Sequence, residues 1–511
     1  MSTSKARILK NRKRRIEDRL RERVWSPQDE PMLRARNIHY ALSDKVRGLS
    51  CGGIGAMHLL ARRTGLIEAI DARLHVLKVH LPYHESDHVL NIAYNALCGG
   101  TCLEDLELRR QDEGYLNALG AQRIPDPTTA GDFCRRFEEG DVQALMNAIN
   151  DVRVRVWRCQ PPSFFEEARI DADGHLIEKT GACKEGMEIA HDGTWGYHPL
   201  LVSLANTAEP LFLVNRPGNR PSHEGAAWYL DRSARLCREA GFRKILLRGD
   251  TDFSQTAHLD RWDAAGYGFI FGIDAMPNLV EIAESLPESA WKRLHRAARY
   301  EVKTEPRGRR ENVKERIVRE RRFENIRLDS EQVAEFAYRP TRCQKSYRVV
   351  VVRKNLSVEQ GEAALFDDVR YFFYITNDRQ RSAVEVVYCA NDRCDQENLI
   401  AQLAGGVRAL CAPVDNLLSN WAYMVMASLA WTLKAWFALS LPEKDRWASK
   451  HQVEKRRVLR MEFKTFLNAF LRVPCQIVRA GRRILYRLLA WNPWQPVFLR
   501  GVEALHYPMR C

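Results

Sequence analysis

Two carboxylates alternate with apolar side chains in the stretch 168–174. The alternation predicts a β-strand with Ile170 and Ala172 on one face. Asp171 and Asp173 then share the opposite face. Two carboxylates on one face of a strand are costly unless a cation or solvent meets them. The stretch therefore indicates a strand whose acidic face lies beside a cation or water.

Two later acids occupy comparable positions. Asp250 ends an apolar run, and Glu397 opens a predicted helix. Magnesium prefers carboxylate and water oxygens and needs neither histidine nor thiolate. Asp173, Asp250 and Glu397 together therefore predict a divalent-metal site of the kind that cleaves phosphodiester bonds. Asp171 is the alternative first acid, and Asp252 the alternative second.

Length, composition and charge limit the class of protein. A chain of 511 residues is expected to form about two to four domains, and 45% hydrophobic content is typical of a folded protein. The net charge of +14 favours a polyanionic partner, with a merely basic protein as the alternative. The thirteen cysteines include no Cys-x-x-Cys pair, and the N-terminus has no apolar signal segment, so we expect a cytoplasmic protein.

The order of patterns along the chain predicts a multi-domain α/β protein. Between about 165 and 275, a strand, a hairpin, a crossover helix and a further strand follow one another, as a ribonuclease-H-like sheet requires. We predict a ribonuclease-H-like catalytic core, interrupted by a β-rich insertion and flanked by helical regions. The predicted parts are a basic N-terminal arm at 1–30, a helical DNA-binding region at 31–160, the first part of the core at 161–276, the basic insertion at 277–370, the second part of the core at 371–441 and a basic helical C-terminal region at 442–511.

An apolar stretch from Trp421 to Leu441 is long enough to imitate a membrane span. Lys434 lies past its middle, and a central lysine costs about 2.5–3.5 kcal/mol on insertion into a bilayer. No second span accompanies it in the sequence. We therefore interpret the stretch as a core helix and expect no membrane partner.

Two pairs of arginines are candidates for contacts with DNA phosphates. Arg135 and Arg136 follow a turn within 124–137 that leads into a helix, which suits either a helix-turn-helix or a plain helical bundle. Arg216 and Arg220 lie in a Pro-Gly-Asn loop before a helix. That loop suits either a phosphate clamp or a rigid turn.

Six stretches of the sequence follow one another in a specific order: 170–174, 184–186, 195–200, 215–220, 247–253 and 395–398. Through them, the region from Asp171 to Leu441 resembles the transposases of the IS4/IS1380 type of bacterial insertion sequences, most closely the IS1380 group. The resemblance implies DNA cleavage and strand transfer with Mg²⁺, for which Mn²⁺ can substitute. It also implies terminal inverted repeats and target DNA as partners, a homodimer on paired ends and a cytoplasmic, nucleoid-associated location in a bacterium.

The resemblance also assigns the acids. It makes Asp173, Asp250 and Glu397 the catalytic and metal-binding residues. The family signature Tyr-x2-Arg-x3-Glu-x6-Lys is kept in part, with Arg393 in the place of its arginine, where it can reach a phosphate. The tyrosine stands two residues too early, and Ala404 replaces the lysine.

The sequence therefore predicts a DNA transposase that cleaves DNA and transfers a strand. One alternative is a ribonuclease-H-like nuclease or resolvase, which cuts without joining. The other is a non-catalytic DNA-binding protein, which binds equally well when all three acids are changed. A strand-transfer assay separates the first alternative from a transposase, and metal-dependent nicking separates the second.

Overall fold

The structure is a computed structural model that describes residues 3–20, 48–80, 82–296, 312–360, 363–443, 445–480 and 483–507. Segments 21–47 and 297–311 lie outside the described residues. Parts of the predicted N-terminal arm, helical region and insertion therefore fall outside the described residues.

Helices make up most of the first 160 residues. A short strand, β1 (Gly48–Leu49), precedes the second helix. The helices are α1 (Thr3–Leu20), α2 (Ile54–Arg63), α3 (Leu66–Arg73), α4 (Glu85–Leu97), α5 (Leu106–Arg110), α6 (Glu113–Leu119), α7 (Pro127–Arg135) and α8 (Glu139–Arg158).

Strands and helices alternate in the middle of the chain. The elements are β2 (Glu167–Gly174), β3 (Ile177–Glu178), β4 (Glu188–Ile189), β5 (Trp195–Tyr197), β6 (Leu200–Leu204), β7 (Glu209–Val214), α9 (Ala226–Ala240), β8 (Lys244–Gly249), α10 (Thr256–Ala264), β9 (Gly268–Ile273) and α11 (Pro277–Ser285). Helix α9 ends at Gly241, where φ is 117°, a conformation that favours glycine.

Three long strands and a group of helices complete the chain. The strand-rich part contains β10 (Lys292–Arg293), α12 (Val313–Glu320), β11 (Glu324–Tyr338), β12 (Tyr347–Gln360) and β13 (Ala363–Thr376). The last part contains α13 (Ala383–Asn391), α14 (Cys394–Ala401), α15 (Leu417–Leu439), α16 (Ala448–Arg460), α17 (Phe463–Phe466), β14 (Cys475–Ala480), β15 (Arg483–Leu488) and α18 (Gln495–Leu505).

Nine strands form one mixed sheet in the order β10-β11-β12-β13-β9-β8-β2-β6-β7. Strand β2 is antiparallel to β6 and parallel to β8, and β8 is parallel to β9. The three long strands extend this sheet, because β13 pairs with β9. The predicted insertion thus continues the sheet that carries the acids, and β13 runs across its expected boundary at residue 370.

The C-terminal region is not helical throughout, contrary to our expectation for 442–511. Strands β14 and β15 form an antiparallel hairpin that also pairs with β1. Cys475 and Ile477 are buried at alternate positions, which is the period of a strand. The basic residues between and after them gave the segment the composition of an amphipathic helix.

A buried carboxylate joins three elements of the core. Glu209 begins β7 and is fully buried. One of its oxygens accepts hydrogen bonds from Arg153 Nε (3.1 Å) and Trp436 Nε1 (2.9 Å). The other accepts from Trp157 Nε1 (2.9 Å) and Thr207 Oγ1 (2.6 Å). Because the charge is both paired and hydrogen-bonded, it can hold α8 and α15 against the sheet.

Helix α15 passes through the interior of the protein. It is long and apolar enough to cross a membrane, yet its most apolar part is entirely buried inside the protein, as a core helix requires. Lys434 lies on this helix without solvent contact. Its Nζ donates to the Leu459 carbonyl (2.9 Å) and lies 3.6 Å from the centre of the Trp431 ring. Burial lowers the pKa of Lys434 from 10.5 to about 7.

This lysine makes stability depend on pH. Between about pH 7 and pH 10 the unfolded chain protonates Lys434 and the folded chain does not, so the free energy of unfolding rises with pH. The slope from this group is at most about 1.4 kcal/mol per pH unit. We expect Lys434→Met to remove that slope and to be more stable than wild type near pH 7, measured by urea unfolding. The exposed Lys450→Met is the control; a wild-type slope in Lys434→Met would contradict the assignment.

Candidate active site

Two acids meet at one edge of the large sheet. Asp173 lies near the end of β2, and Asp250 directly follows β8. Because β2 and β8 run parallel, their carboxyl ends lie at the same edge. Arg393 spans the pair: its Nη1 is 3.0 Å from Asp173 Oδ2, and its Nη2 is 3.8 Å from Asp250 Oδ2. The Asp252 amide also donates to Asp250 Oδ1 (3.1 Å) and fixes that carboxylate.

The negative charges of Asp173 and Asp250 are only partly compensated by the surrounding positive charge. Burial raises the pKa of Asp173 to about 6, and Asp250 adds to the shift while Arg393 opposes it. Burial likewise raises the pKa of Asp250, again against the effect of Arg393. One guanidinium therefore does not compensate both charges. A further cation at this edge would stabilise the ionised forms.

Asp171 is engaged elsewhere. Arg248 on β8 donates from Nε to Asp171 Oδ1 (2.7 Å) and from Nη2 to Oδ2 (2.8 Å), and both side chains are buried. Its Nη1 donates to the Cys389 carbonyl (2.6 Å) on α13. Burial alone would lower the pKa of Arg248, but the carboxylate outweighs it and raises that pKa. Asp171 is thus held in a buried ion pair, which leaves Asp173, the partner of Arg393, as the candidate for the first acid.

Glu397 is not part of the acid pair in this structure. It is exposed in the first turn of α14, one helical turn after Arg393. Among the described residues, no three His, Cys, Asp or Glu side chains lie close enough together to hold a metal ion. The structure therefore brings Asp173, Asp250 and Arg393 together and places Glu397 outside that group.

A glutamine that the sequence analysis missed holds the glutamate's helix in place. Gln396 is buried, donates from Nε2 to the Leu201 carbonyl (3.2 Å) and accepts a hydrogen bond from Ser203 Oγ. Leu201 is the residue paired with Asp173 in the sheet. The start of α14 is thus fixed directly beside the first acid. The only signal in the sequence was its place next to Glu397.

Arg216 does not face solvent, which favours the rigid turn over the phosphate clamp. It is buried, and burial lowers its pKa to about 10. Its guanidinium fixes the loop after β7, as expected for an arginine that stabilises a rigid turn. The backbone carbonyls it donates to belong to His198, Pro221, Ser222 and Glu224.

The other arginine candidates are exposed. Arg220 lies 3.4 Å from the Glu224 carboxylate, a weak surface contact. Arg135 pairs with Asp415 at 3.1 Å and with Asp132 on its own helix, while Arg136 is exposed beside it. These three side chains are accessible to DNA, but the ion pairs of Arg135 show that it also joins α7 to the loop before α15.

A cavity of about 340 Å³ adjoins the acid pair. Its lining includes Asp250, Arg393, Tyr374 and Asn391, so polar and aromatic groups meet beside the carboxylates. A larger cavity of about 860 Å³ lies where α8, α15 and α18 end, and it shares no lining residue with the acid site. The smaller cavity is the better candidate for the active site, because Asp250 and Arg393 both line it.

Carboxylates at adjacent strand ends beside an open cleft are typical of enzymes that act on phosphodiesters with a divalent ion. The family described as "Transposase DDE domain group 1" matches residues 45–508, which is most of the chain. The chain therefore belongs to this family and is a transposase of the DDE type, a class that generally uses divalent metal ions.

Among solved structures, the chain is similar to the piggyBac transposase in a cryo-electron microscopy structure of its synaptic complex with hairpin DNA. The TM-score is 0.35 at 9% sequence identity, over 83% of this chain and 84% of that chain. A similarity of this strength carries no argument here. No curated protein matches the sequence.

The acid pair has the chemistry of a divalent-metal site. Asp173 and Asp250 supply hard oxygen ligands whose charges are incompletely compensated. Magnesium is commonly held by one or two carboxylates together with water and substrate phosphate. The two aspartates therefore fit such an ion, and Glu397 can join them only if its side chain turns toward the cleft.

Proposed function

We propose that this protein binds the terminal inverted repeats of an insertion sequence, cleaves DNA there and joins the freed end to target DNA. The observation that carries the proposal is the pairing of Asp173 and Asp250 at the ends of two parallel strands, both with raised pKa values. Membership of the transposase family supports DNA as the partner.

The strand order supports a ribonuclease-H-like catalytic core. Numbered along the chain, β2, β6, β7, β8 and β9 lie in the order 3-2-1-4-5, with the first three antiparallel and the last two parallel to the first. It includes the hairpin, the crossover helix and the further strand that we expected from the sequence. Asp173 lies on the central strand, and Asp250 directly follows its parallel neighbour.

In the proposed mechanism, one pocket serves two successive phosphoryl transfers. Asp173, Asp250 and Glu397 would hold Mg²⁺, or Mn²⁺ in its place, and the ion would stabilise the negative charge that develops during phosphoryl transfer. In the first step, water forms the new P–O bond and the DNA 3′-oxygen leaves. In the second, that 3′-hydroxyl attacks a target phosphodiester, whose own 3′-oxygen leaves.

Arg393 and Gln396 prepare the site for these steps. Arg393 offsets the charge of the two aspartates in the absence of an ion, and once released it can donate to a phosphate of the bound strand. Gln396 keeps the start of α14 beside Asp173, so that Glu397 needs only a side-chain movement to approach the acids. We further propose a homodimer on paired ends and a cytoplasmic, nucleoid-associated location in a bacterium, within the IS1380 group.

The test is an assay with purified protein and a duplex that carries the DNA flanking the gene. With Mg²⁺ we expect nicking at the end of the inverted repeat and, with a target plasmid, joined products on a denaturing gel. Chelation with EDTA should abolish both products. Cutting without joining would instead indicate a nuclease or resolvase. Binding with no metal-dependent nicking would indicate a non-catalytic DNA-binding protein.

A further inference from the structure

Two basic elements from opposite ends of the chain lie together. Helix α1 contains eight Lys or Arg residues and two acids. Its Arg12 donates from Nη1 to the Leu488 carbonyl (2.6 Å) and to the Ala490 carbonyl (3.4 Å). Leu488 is the last residue of β15. The N-terminal helix is therefore held against the end of the C-terminal hairpin.

The helix turns a basic face away from this contact. Arg7, Lys10 and Arg14 follow one another at helical spacing, on the side opposite Arg12. All three are exposed. From the first to the last of them the helix rises about 10 Å.

The hairpin presents a second basic row. Arg483, Leu485 and Arg487 alternate along β15 and are exposed. The intervening Tyr486 packs inward, where its hydroxyl donates to the Ala118 carbonyl (2.6 Å). The segment 475–488 contains no acidic residue. Within the described part of the chain, no carboxylate forms an ion pair with either arginine of this row. These charges are available to an external anion.

We propose that two neighbouring basic rows, Arg7, Lys10 and Arg14 on α1 and Arg483 and Arg487 on β15, bind the phosphate backbone of duplex DNA outside the catalytic pocket; together they are called the terminal basic surface. This proposal rests on the proposed function, because the terminal basic surface would supply part of the affinity for the DNA that is cleaved at the acid site.

The dimensions and the charge agree with a duplex as the occupant. The row on β15 spans about 13 Å at the rise of a strand. One strand of B-DNA carries a phosphate every 3.4 Å along the axis, so each row is matched to about three or four phosphates. Lys and Arg contacts to phosphates carry no sequence information, and we therefore expect the surface to add affinity without sequence preference.

The test is fluorescence anisotropy of the full chain with a short random-sequence duplex over a series of salt concentrations. Each phosphate contact contributes about 0.9 to the slope of log affinity against log salt concentration. Arg483→Gln/Arg487→Gln should reduce the slope by about 1.8 and weaken binding roughly tenfold at low salt. Arg483→Lys/Arg487→Lys keeps the charge and should bind like wild type.

The matched control is Arg235→Gln/Arg243→Gln, which removes two exposed arginines on and after α9 and should leave the slope unchanged. Circular dichroism checks that each variant is folded. If the hairpin variant keeps the wild-type slope while wild type binds, the terminal basic surface is refuted and the proposed function stands. If wild type binds no DNA, the proposed function itself fails and this inference with it.

Discussion

Asp250→Asn is expected to reduce DNA cleavage about a hundred- to a thousandfold, a loss of the size seen when one charge-stabilising group is removed from an active site. The Asp250 carboxylate follows β8 at the sheet edge where Asp173 lies near the end of β2. The asparagine amide is uncharged, so the substitution removes one of the two negative charges that an ion would bind. DNA binding should be unchanged or slightly stronger, because a negative charge near the phosphates is lost. Single-turnover cleavage and anisotropy measure the two effects separately.

Asp252→Asn is the control for this prediction. Asp252 is two residues away in the chain and supports Asp250 through its backbone amide, which the substitution retains. We expect near wild-type cleavage from it and a loss comparable to that of Asp250→Asn from Asp173→Asn. Wild-type cleavage by Asp250→Asn, or equal losses in Asp252→Asn, would show that the second acid has been assigned wrongly.

Arg248→Met should destabilise the fold by about 3–5 kcal/mol, since it leaves the buried carboxylate of Asp171 without its partner. The expected result is a lower midpoint in urea or thermal unfolding. Adding Asp171→Val to Arg248→Met should recover most of the loss, because a buried ion pair can be exchanged for apolar side chains at little cost.

An exposed ion pair offers the comparison. Arg73 and Asp151 lie 2.5 Å apart with both side chains about half exposed, and Arg73→Met should cost under about 1 kcal/mol. A double variant no more stable than Arg248→Met would contradict the account of Asp171 as a structural residue. It would also return Asp171 to consideration as the first acid of the site.

The sequence was sufficient to place the acids on their elements. Asp173 and Asp250 each lie at the end of an apolar run, and such runs become buried strands whose ends reach the surface of the sheet. The start of α13 can also be predicted from the sequence, because the spacing of Ser382 and Glu385 indicates the capping box that they form in the structure. The same holds for α15, where Lys434 within the apolar stretch favoured a core helix over a membrane span.

The partners of buried charges could not be read from the sequence. Asp171 and Arg248 meet through the register of two parallel strands, 77 residues apart. Arg216 is satisfied by loop carbonyls, which no side-chain pattern reveals. The C-terminal hairpin was missed for another reason: basic residues interleave with its buried ones, so its period of two was hidden by composition.

The position of Glu397 differs between the sequence prediction and the structure. The sequence resemblance groups it with the aspartates, whereas the structure leaves it exposed, one turn beyond Arg393. The guanidinium occupies the space between the aspartates, where an ion would lie. We therefore expect ion binding to displace Arg393 and to draw Glu397 inward.

The most direct measurement of the central claim is anomalous scattering from crystals of the full protein with bound DNA and Mn²⁺. The account predicts a manganese peak ligated by the carboxylates of Asp173 and Asp250, with Arg393 moved off both and Glu397 turned toward the ion. A manganese peak bound elsewhere, or an Arg393 still bridging the two aspartates with DNA and metal present, would contradict it.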